Sequence, residues 1–196
     1  PDANPLATPS GKLEIWSDTI AGFDYDDCPG HATWLEPVEW LGADLAKTYP
    51  LHLISNQPAS RLHSQLDNGI IAQEAKVAGR EAVTLHPDDA AARNIKDGDV
   101  VRLFNDRGEC LAGAVISDGI SPGIVQLPTG AWYDPTRPGQ TGSLDKHGNP
   151  NILTRDAGTS SLAQGPTAHS CLVEVEVYEG KPSPITAFRP PRMENR

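Results

Sequence analysis

The segment from residue 82 to residue 127 alternates short apolar strands with tight turns, and this pattern limits the fold more than any other part of the chain. In "AVTLHPDDAAARNIKDGDVVRLFNDRGECLAGAVIS", apolar residues alternate with polar ones before Pro87 and cluster again after the Asp97-Gly98 turn. Pro87 begins a short helix with two aspartates in its first turn, where the helix dipole favours anions. The triplet at 106–108 is a hairpin turn. Together these features predict a small β-barrel with helical insertions.

The composition agrees with a loop-rich β domain. The chain of 196 residues carries 18 glycines and 18 prolines but only 6% aromatic residues. This length is enough for a core that needs no disulfide or metal. A formal net charge of −10 repels phosphate backbones and anionic headgroups, so nucleic acid is not expected as a partner, although a locally neutral pocket can still hold a nucleotide. Because no run approaches eighteen apolar residues, no membrane insertion is expected.

Three regions are predicted along the chain. Residues 1–48 carry scattered aromatics without a period and are interpreted as an irregular lead-in that packs on a larger body. Residues 49–180 hold the strands of the barrel, and residues 181–196 form a Pro-rich tail that is expected to be extended. The chain begins with Pro1 and its one methionine is Met193, so we expect it to be a fragment of a longer protein.

No group of residues has the spacing of a familiar catalytic or metal site. Cys28, Cys110 and Cys171 are odd in number and match no zinc or redox motif. His63 and His169 each precede a serine, but neither serine lies in a nucleophile elbow, and the six histidines have no metal-ligand spacing. There is also no dinucleotide fingerprint and no phosphate-binding P-loop. We therefore expect no catalytic residue and no metal ligand in this chain.

Three stretches concentrate polar side chains without core periodicity: 55–65, then 129–135 leading to 147–151, and 154–170. In a barrel, loops that are distant in sequence can meet at one rim. The first stretch, "SNQPASRLHSQ", follows a buried strand and is either a plain surface loop or a binding loop for a flat, polar, partly anionic ligand. Arg61 within it suits a bidentate contact with phosphate, stacking on a heteroaromatic ring, or an exposed, solvated position.

The other two stretches leave similar alternatives open. Residues 158–161 are expected to open a short helix, whose hydroxyls and free N–H groups either bind an anion or only cap the helix. The asparagines of "HGNPN" suit the amide-like edge of a purine or pterin, because asparagine both donates and accepts, but turn chemistry also explains them.

Six segments in order resemble one family: "TPSGKLEIWSDTI", "YPLHLISNQPASRLHSQ", "AGREAVTLHPDDAAARNIKDGDVVRLFNDRGECLAGAV", "GAWYDP", "NPNILTRDAGTSSLAQG" and "CLVEVEVYEG". Over about residues 8–180 the chain resembles the C-terminal molybdopterin-dinucleotide-binding domain of the dimethyl sulfoxide reductase family, and most of all its trimethylamine N-oxide, dimethyl sulfoxide and biotin sulfoxide reductases. The resemblance implies a fold that is mainly β with short helices, a double-psi β-barrel. It also implies a bis(molybdopterin guanine dinucleotide) molybdenum cofactor, buried between this domain and the rest of a larger subunit.

The resemblance also implies which residues bind the cofactor. Many relatives carry histidine where Gln57 stands, and glutamine or asparagine where His169 stands. The implied set is Ser55, Asn56, Gln57, Arg61, His63, Ser64, Trp132, Asn151, Gln164 and His169. Arg61 is expected to help offset the charge of the pyrophosphate.

The implied function is that of a cofactor-binding domain in a molybdenum oxidoreductase that reduces S-oxides or N-oxides by oxygen-atom transfer. In this family the metal ligand comes from earlier domains, so the expected partners are the N-terminal domains of the same enzyme and, through them, a small S-oxide or N-oxide. The chain by itself is expected to be inactive, in either the bacterial cytoplasm or the periplasm. Two alternatives remain: a stand-alone double-psi barrel that binds or scaffolds, and the same domain from a formate dehydrogenase or nitrate reductase.

Overall fold

The computed structural model describes residues 3–190, which divide into two compact units. The smaller unit contains residues 3–37 and 156–167, and the larger unit contains residues 38–155 and 168–190. The segment 156–167 therefore groups with the lead-in, although it follows most of the barrel in sequence. No helix among the described residues is long and apolar enough to cross a membrane.

The larger unit is built on a closed barrel of six strands. Around the barrel the strands follow the order β1-β5-β2-β4-β3-β6. The strands are β1 (Leu51–Ile54), β2 (Ala82–Leu85), β3 (Val100–Asn105), β4 (Gly108–Ile116), β5 (Ile124–Gln126) and β6 (Leu172–Val177). The predicted fold class, mainly β with short helices in a double-psi β-barrel, is confirmed.

The barrel combines two parallel pairs of strands with four antiparallel pairs. Strands β1 and β5 are parallel, as are β2 and β4, while the remaining neighbours are antiparallel. Strands β3 and β4 form the predicted hairpin, with Asn105 paired to Gly108 across its turn. The connection from β1 to β2 spans residues 55–81 and the connection from β5 to β6 spans residues 127–171, so both are long enough to carry functional loops.

The barrel interior is filled by the apolar members of each alternating strand. Leu51 and Leu53 of β1, and Val83 and Leu85 of β2, are buried, while their neighbours in sequence are only half-buried. The run 110–114 in β4 is buried at every residue, because β4 lies between β2 and β3 and is covered on its outer side by a later loop. Burial of these side chains is the main term that stabilises the barrel.

The described residues include three short helices: α1 (Asp18–Ala21), α2 (Ile70–Glu74) and α3 (Pro87–Ala92). Two 3-10 helices, Asp44–Lys47 and Pro150–Ile152, complete the set. The start of α3 is as predicted, since Pro87 occupies its first turn and the His86 ring accepts a hydrogen bond from the Asp88 N–H at 3.1 Å. The short α2 follows the polar loop after β1 and was not anticipated from the sequence.

Candidate functional site

Loops from three parts of the larger unit meet at one rim of the barrel and enclose a pocket of about 430 Å³. None of the residues that line this pocket carries a carboxylate, although the whole chain has a net charge of −10. The lining residues are His63, Ser64, Thr129, Gly130, Ala131, Trp132, Tyr133, Asn149 and Asn151. Four of the residues proposed from the sequence, His63, Ser64, Trp132 and Asn151, are therefore brought together.

The loop after β1 is held against the loop after β5 by backbone contacts. The Thr129 N–H donates to the carbonyl of Asn56 at 2.9 Å. Gly130 then passes so close to His63 that a β-carbon at Gly130 would overlap the His63 carbonyl, and its φ of +97° is itself unfavourable for other residues. His63 also has a positive φ, of 47°. The sequence "TG" at 129–130 therefore permits the close approach that forms the pocket.

Arg61 is buried behind the pocket rather than exposed at its surface. Its side chain is only 1% exposed, and its guanidinium contacts both carboxylate oxygens of Glu81, at 3.4 and 3.0 Å. It also donates to the carbonyls of His63 and Thr129, each at 3.1 Å. The sequence left three positions open for the Arg61 guanidinium: on a phosphate, on a heteroaromatic ring, or in solvent. In the structure it is buried and links the two pocket loops instead.

Two cations and two anions form the buried cluster that contains Arg61. Lys76 lies 2.8 Å from Asp67 and 2.9 Å from Glu81, and Arg61 lies 3.4 Å from Asp67. All four side chains are at most 6% exposed. Because the formal charges cancel, the cluster adds no net charge beneath the pocket. Buried ion pairs of this kind are retained only when each charge has its partners.

Trp132 is fixed in the pocket wall by three polar contacts. Its backbone N–H donates to Asp67 at 2.9 Å, its indole N–H donates to the carbonyl of Ser64 at 2.8 Å, and its carbonyl accepts from Nδ1 of His147 at 2.9 Å. Trp132 as a whole is 36% exposed and is one of the residues that line the pocket. Trp132 therefore presents a fixed aromatic face to whatever the pocket holds.

His147 is fully buried beside this wall. Since a carbonyl only accepts, its Nδ1 carries the proton, and Nε2 has no hydrogen-bond partner among the described residues. Burial, with a contribution from Lys76, lowers the pKa of His147 below its ordinary value. The ring is therefore a neutral structural donor rather than an exposed base.

Asp145 organises the turn that carries the asparagines. One of its carboxylate oxygens accepts the Asp134 N–H at 2.7 Å. The other oxygen accepts three consecutive N–H groups, those of His147, Gly148 and Asn149, at 3.2, 2.7 and 2.8 Å. This fully buried carboxylate was missed from the sequence. The signal was present, because an aspartate followed by "KHGNPN" is typical of a side chain that caps its own turn.

The molydopterin dinucleotide binding domain family matches residues 51–172, which include strands β1 to β5, the first residue of β6 and all of the pocket residues. The chain belongs to this family. It is 51% identical over 189 residues to the dimethyl sulfoxide/trimethylamine N-oxide reductase of Cereibacter sphaeroides, and 53% identical over 188 residues to trimethylamine-N-oxide reductase 1 of Escherichia coli strain K12.

The match to these relatives covers most of this chain but a small part of theirs. It includes 96% and 95% of this chain, respectively, and 23% and 22% of the two relatives. Among solved structures, acetylene hydratase from Pelobacter acetylenicus superposes with a TM-score of 0.70 at 22% identity, over 89% of this chain and 24% of that one. This superposition identifies a shared fold.

The residues of this molybdopterin dinucleotide binding domain fit a large, flat, polar heterocycle. The pocket walls offer the aromatic rings of Trp132 and Tyr133 together with neutral hydrogen-bonding groups, and Gly130 leaves the backbone open to close approach. Beside Thr129, the Oδ1 atom of Asn56 is buried and has no hydrogen-bond partner among the described residues. An acceptor left in this state is suited to a donor from a bound group.

The other residues that the sequence predicted to bind the cofactor lie at several different positions in the domain. Ser55 is half-buried, and Gln57 is exposed and donates to the Arg61 carbonyl at 2.8 Å. His169 is exposed, and its carbonyl accepts from the His52 ring at 2.6 Å. The Oδ1 of Asn149 caps the N–H of Asn151, so turn chemistry accounts for that oxygen.

Gln164 lies in the smaller unit, within a narrow turn at 158–166. The expectation of a short helix over 158–161 is wrong. Gly158 pairs with Pro166, Thr159 donates to the Gly165 carbonyl at 2.9 Å, and Ser160 donates to the Ala163 carbonyl at 3.1 Å. These N–H groups are used inside the turn, and a β-carbon at Gly158 would overlap the Gln164 side chain, so the two arms of the turn approach closely at this glycine.

Proposed function

We propose that this chain is the cofactor-binding domain of a molybdenum oxidoreductase that reduces S-oxides or N-oxides by oxygen-atom transfer, and that the cofactor is bis(molybdopterin guanine dinucleotide). The observation that carries the proposal is an uncharged, aromatic-walled pocket within the family match, in a chain about half identical to dimethyl sulfoxide and trimethylamine N-oxide reductases. When bound, the cofactor supplies the redox chemistry, and the protein positions it.

Within this proposal the residues have separate tasks. His63, Ser64 and Asn151 supply neutral hydrogen bonds to polar edges of the pterin or the nucleotide, and Trp132 supplies a stacking face. Ser55, Asn56 and Gln57 precede Arg61 in the same loop, and together with Gln164 and His169 they are further proposed contacts of the cofactor. Arg61 acts through the carbonyls of His63 and Thr129, which it holds from behind. No catalytic residue is assigned to the chain.

The partners in this proposal are the other domains of the same enzyme, and through them a small S-oxide or N-oxide. The chain spans about a quarter of the relatives' length. In the smaller unit, Leu13, Ile15 and Trp34 are 78–80% exposed, which is costly for a surface that stays in water. These side chains support docking onto a further part of the polypeptide.

The test uses the full-length protein that carries this chain and measures its cofactor content directly. The double variant His63→Ala with Asn151→Ala removes two neutral groups from the pocket. It should lower both molybdenum and releasable guanine nucleotide per polypeptide by about tenfold or more, because two hydrogen bonds are lost. Gln140→Ala removes an exposed amide outside the pocket and should retain full loading. Full loading in the double variant would contradict the proposal.

A further inference from the structure

Residues 183–188, near the end of the described part of the larger unit, contact the pocket loops and their neighbours. We call this segment the C-terminal strap. Its first residue, Ser183, accepts a hydrogen bond from Arg80 at 3.0 Å through its carbonyl. The Ile185 side chain lies against Gly79. The sequence predicted that the Pro-rich tail is extended, but its composition did not predict any contact with the barrel. These contacts hold the strap at one end.

Thr186 ties the middle of the strap to the loop that follows the pocket residues. Its N–H and hydroxyl donate to the two carboxylate oxygens of Asp134, at 2.6 and 2.5 Å. Lys146 donates to the Thr186 hydroxyl at 2.8 Å and lies 3.1 Å from Asp134. Although burial raises the pKa of Asp134, the hydrogen bonds from Thr186 and Lys146 outweigh it and lower that pKa. The carboxylate is therefore charged and firmly held.

Phe188, which is not among the residues that line the pocket, completes the strap by packing against the Trp132 ring. Its ring centre lies 5.3 Å from that of Trp132 and 5.0 Å from that of His147, which it meets edge-on at 85°. Trp132 also makes hydrogen bonds at its backbone and at its indole nitrogen. Phe188 adds the aromatic contact on the ring itself, and such pairs are stabilising at these distances.

We propose that Phe188 is a positioning residue for the cofactor pocket, and that the C-terminal strap holds Trp132 in the orientation that forms the pocket wall. This inference rests on the proposed function, since it assigns to Phe188 an effect on cofactor retention. Without the Phe188 ring, the Trp132 indole is left with hydrogen bonds at one edge and can tilt about them. The bound heterocycle then loses a fixed stacking face, while the barrel core, which Phe188 does not enter, is unchanged.

The experiment compares three variants in the full-length protein. Phe188→Ala removes the ring, Phe188→Tyr retains it, and Phe23→Ala removes a phenylalanine from another aromatic pair, with Tyr25 at 5.9 Å in the smaller unit. Amide hydrogen exchange is followed at 129–135 and in β4, and the rate of loss of the dinucleotide cofactor is measured as released guanine nucleotide. We expect Phe188→Ala to raise exchange at 129–135 and the rate of cofactor loss by about tenfold each.

The same variant should leave exchange in β4 unchanged, and Phe188→Tyr and Phe23→Ala should match the parent at 129–135. Unchanged exchange at 129–135 in Phe188→Ala would overturn the proposal, and so would an equal rise in β4, since Phe188 would then be a general packing residue. If Phe188→Ala does not fold, Thr186→Val removes the strap's hydroxyl contact and must raise exchange at 129–135 for the proposal to stand. A parent protein that binds no dinucleotide would refute the proposed function, while the exchange comparison would still decide the role of the strap.

Discussion

Replacement of Glu81 by glutamine is the most direct test of the buried cluster behind the pocket. Glu81 accepts from Arg61 through both oxygens and lies 2.9 Å from Lys76. Glu81→Gln retains the size of the side chain but leaves two buried cations facing the single carboxylate of Asp67. Removal of one partner from a buried ion pair costs about 3–5 kcal/mol of unfolding free energy, because the remaining charge is uncompensated.

A matched control has the same chemistry at the surface. Glu176 lies 2.8 Å from Arg102, and its side chain is 50% exposed. Glu176→Gln should cost at most about 1 kcal/mol, since water screens an exposed pair. The double variant of Glu81→Gln with Lys76→Met restores one cation to one anion, so it should recover at least about 1 kcal/mol of the loss.

Amide hydrogen exchange of β4 measures these costs, because β4 pairs with both β2 and β3 and its amides open only with the barrel. A loss of about 3–5 kcal/mol lowers the protection of these amides by about two to four orders of magnitude, since each 1.4 kcal/mol is a factor of ten. A cost of Glu81→Gln no larger than that of Glu176→Gln would refute the reasoning. The cluster would then be hydrated rather than buried.

Three further predictions concern other residues of the chain. Gly130→Ala should lower the free energy of unfolding by about 2–5 kcal/mol, measured by thermal unfolding, because it adds backbone strain and overlap with the facing loop. Gly139 has a φ of +80° but lies in open space, so Gly139→Ala should cost only about 1–2 kcal/mol of strain. Burial lowers the pKa of His147 below 6.5, so as the pH drops the unfolded chain binds a proton on this imidazole before the native protein does. The free energy of unfolding should therefore fall as the pH drops below about 6.5. His147→Gln should flatten this loss between about pH 7.5 and about pH 5.5, as urea titrations can measure. Burial raises the pKa of Cys171 to about 11, so iodoacetamide at about pH 8 should leave it unmodified in the native protein while the half-buried Cys28 reacts, as mass spectrometry can measure. Labelling of Cys171, an unchanged pH profile, or equal costs for the two glycine variants would each contradict the respective argument.

The barrel could be predicted because its signals are local. Alternation places Leu51 and Leu53 on one face of β1, and the turn at 106–108 joins β3 to β4 within one short segment. The start of α3 at Pro87 follows from its fixed φ and missing N–H. The resemblance, carried by six ordered segments, extended this local pattern to a family that the match over residues 51–172 confirms.

The pocket was only partly predictable, because its partners are far apart in sequence. Polar stretches without core periodicity indicated His63 and Asn151, and the structure brings both to the pocket. The same composition could not indicate that Arg61 is buried, since its partner Glu81 lies 20 residues away and the Thr129 carbonyl lies 68 residues away. The helix expected over 158–161 is absent because the N–H groups of Thr159 and Ser160 bond to carbonyls across a reversal of the chain instead.

The amino-acid sequence by itself therefore determined the strands, their turns and the family, because apolar periodicity and turn chemistry act over a few residues and need no knowledge of what lies opposite. Only the tertiary structure decided which charges are buried together and that a Pro-rich tail carries Phe188 to the back of Trp132. The free energy of a buried charge or an aromatic pair depends on the groups that surround it, and closure of the barrel is what brings those groups together.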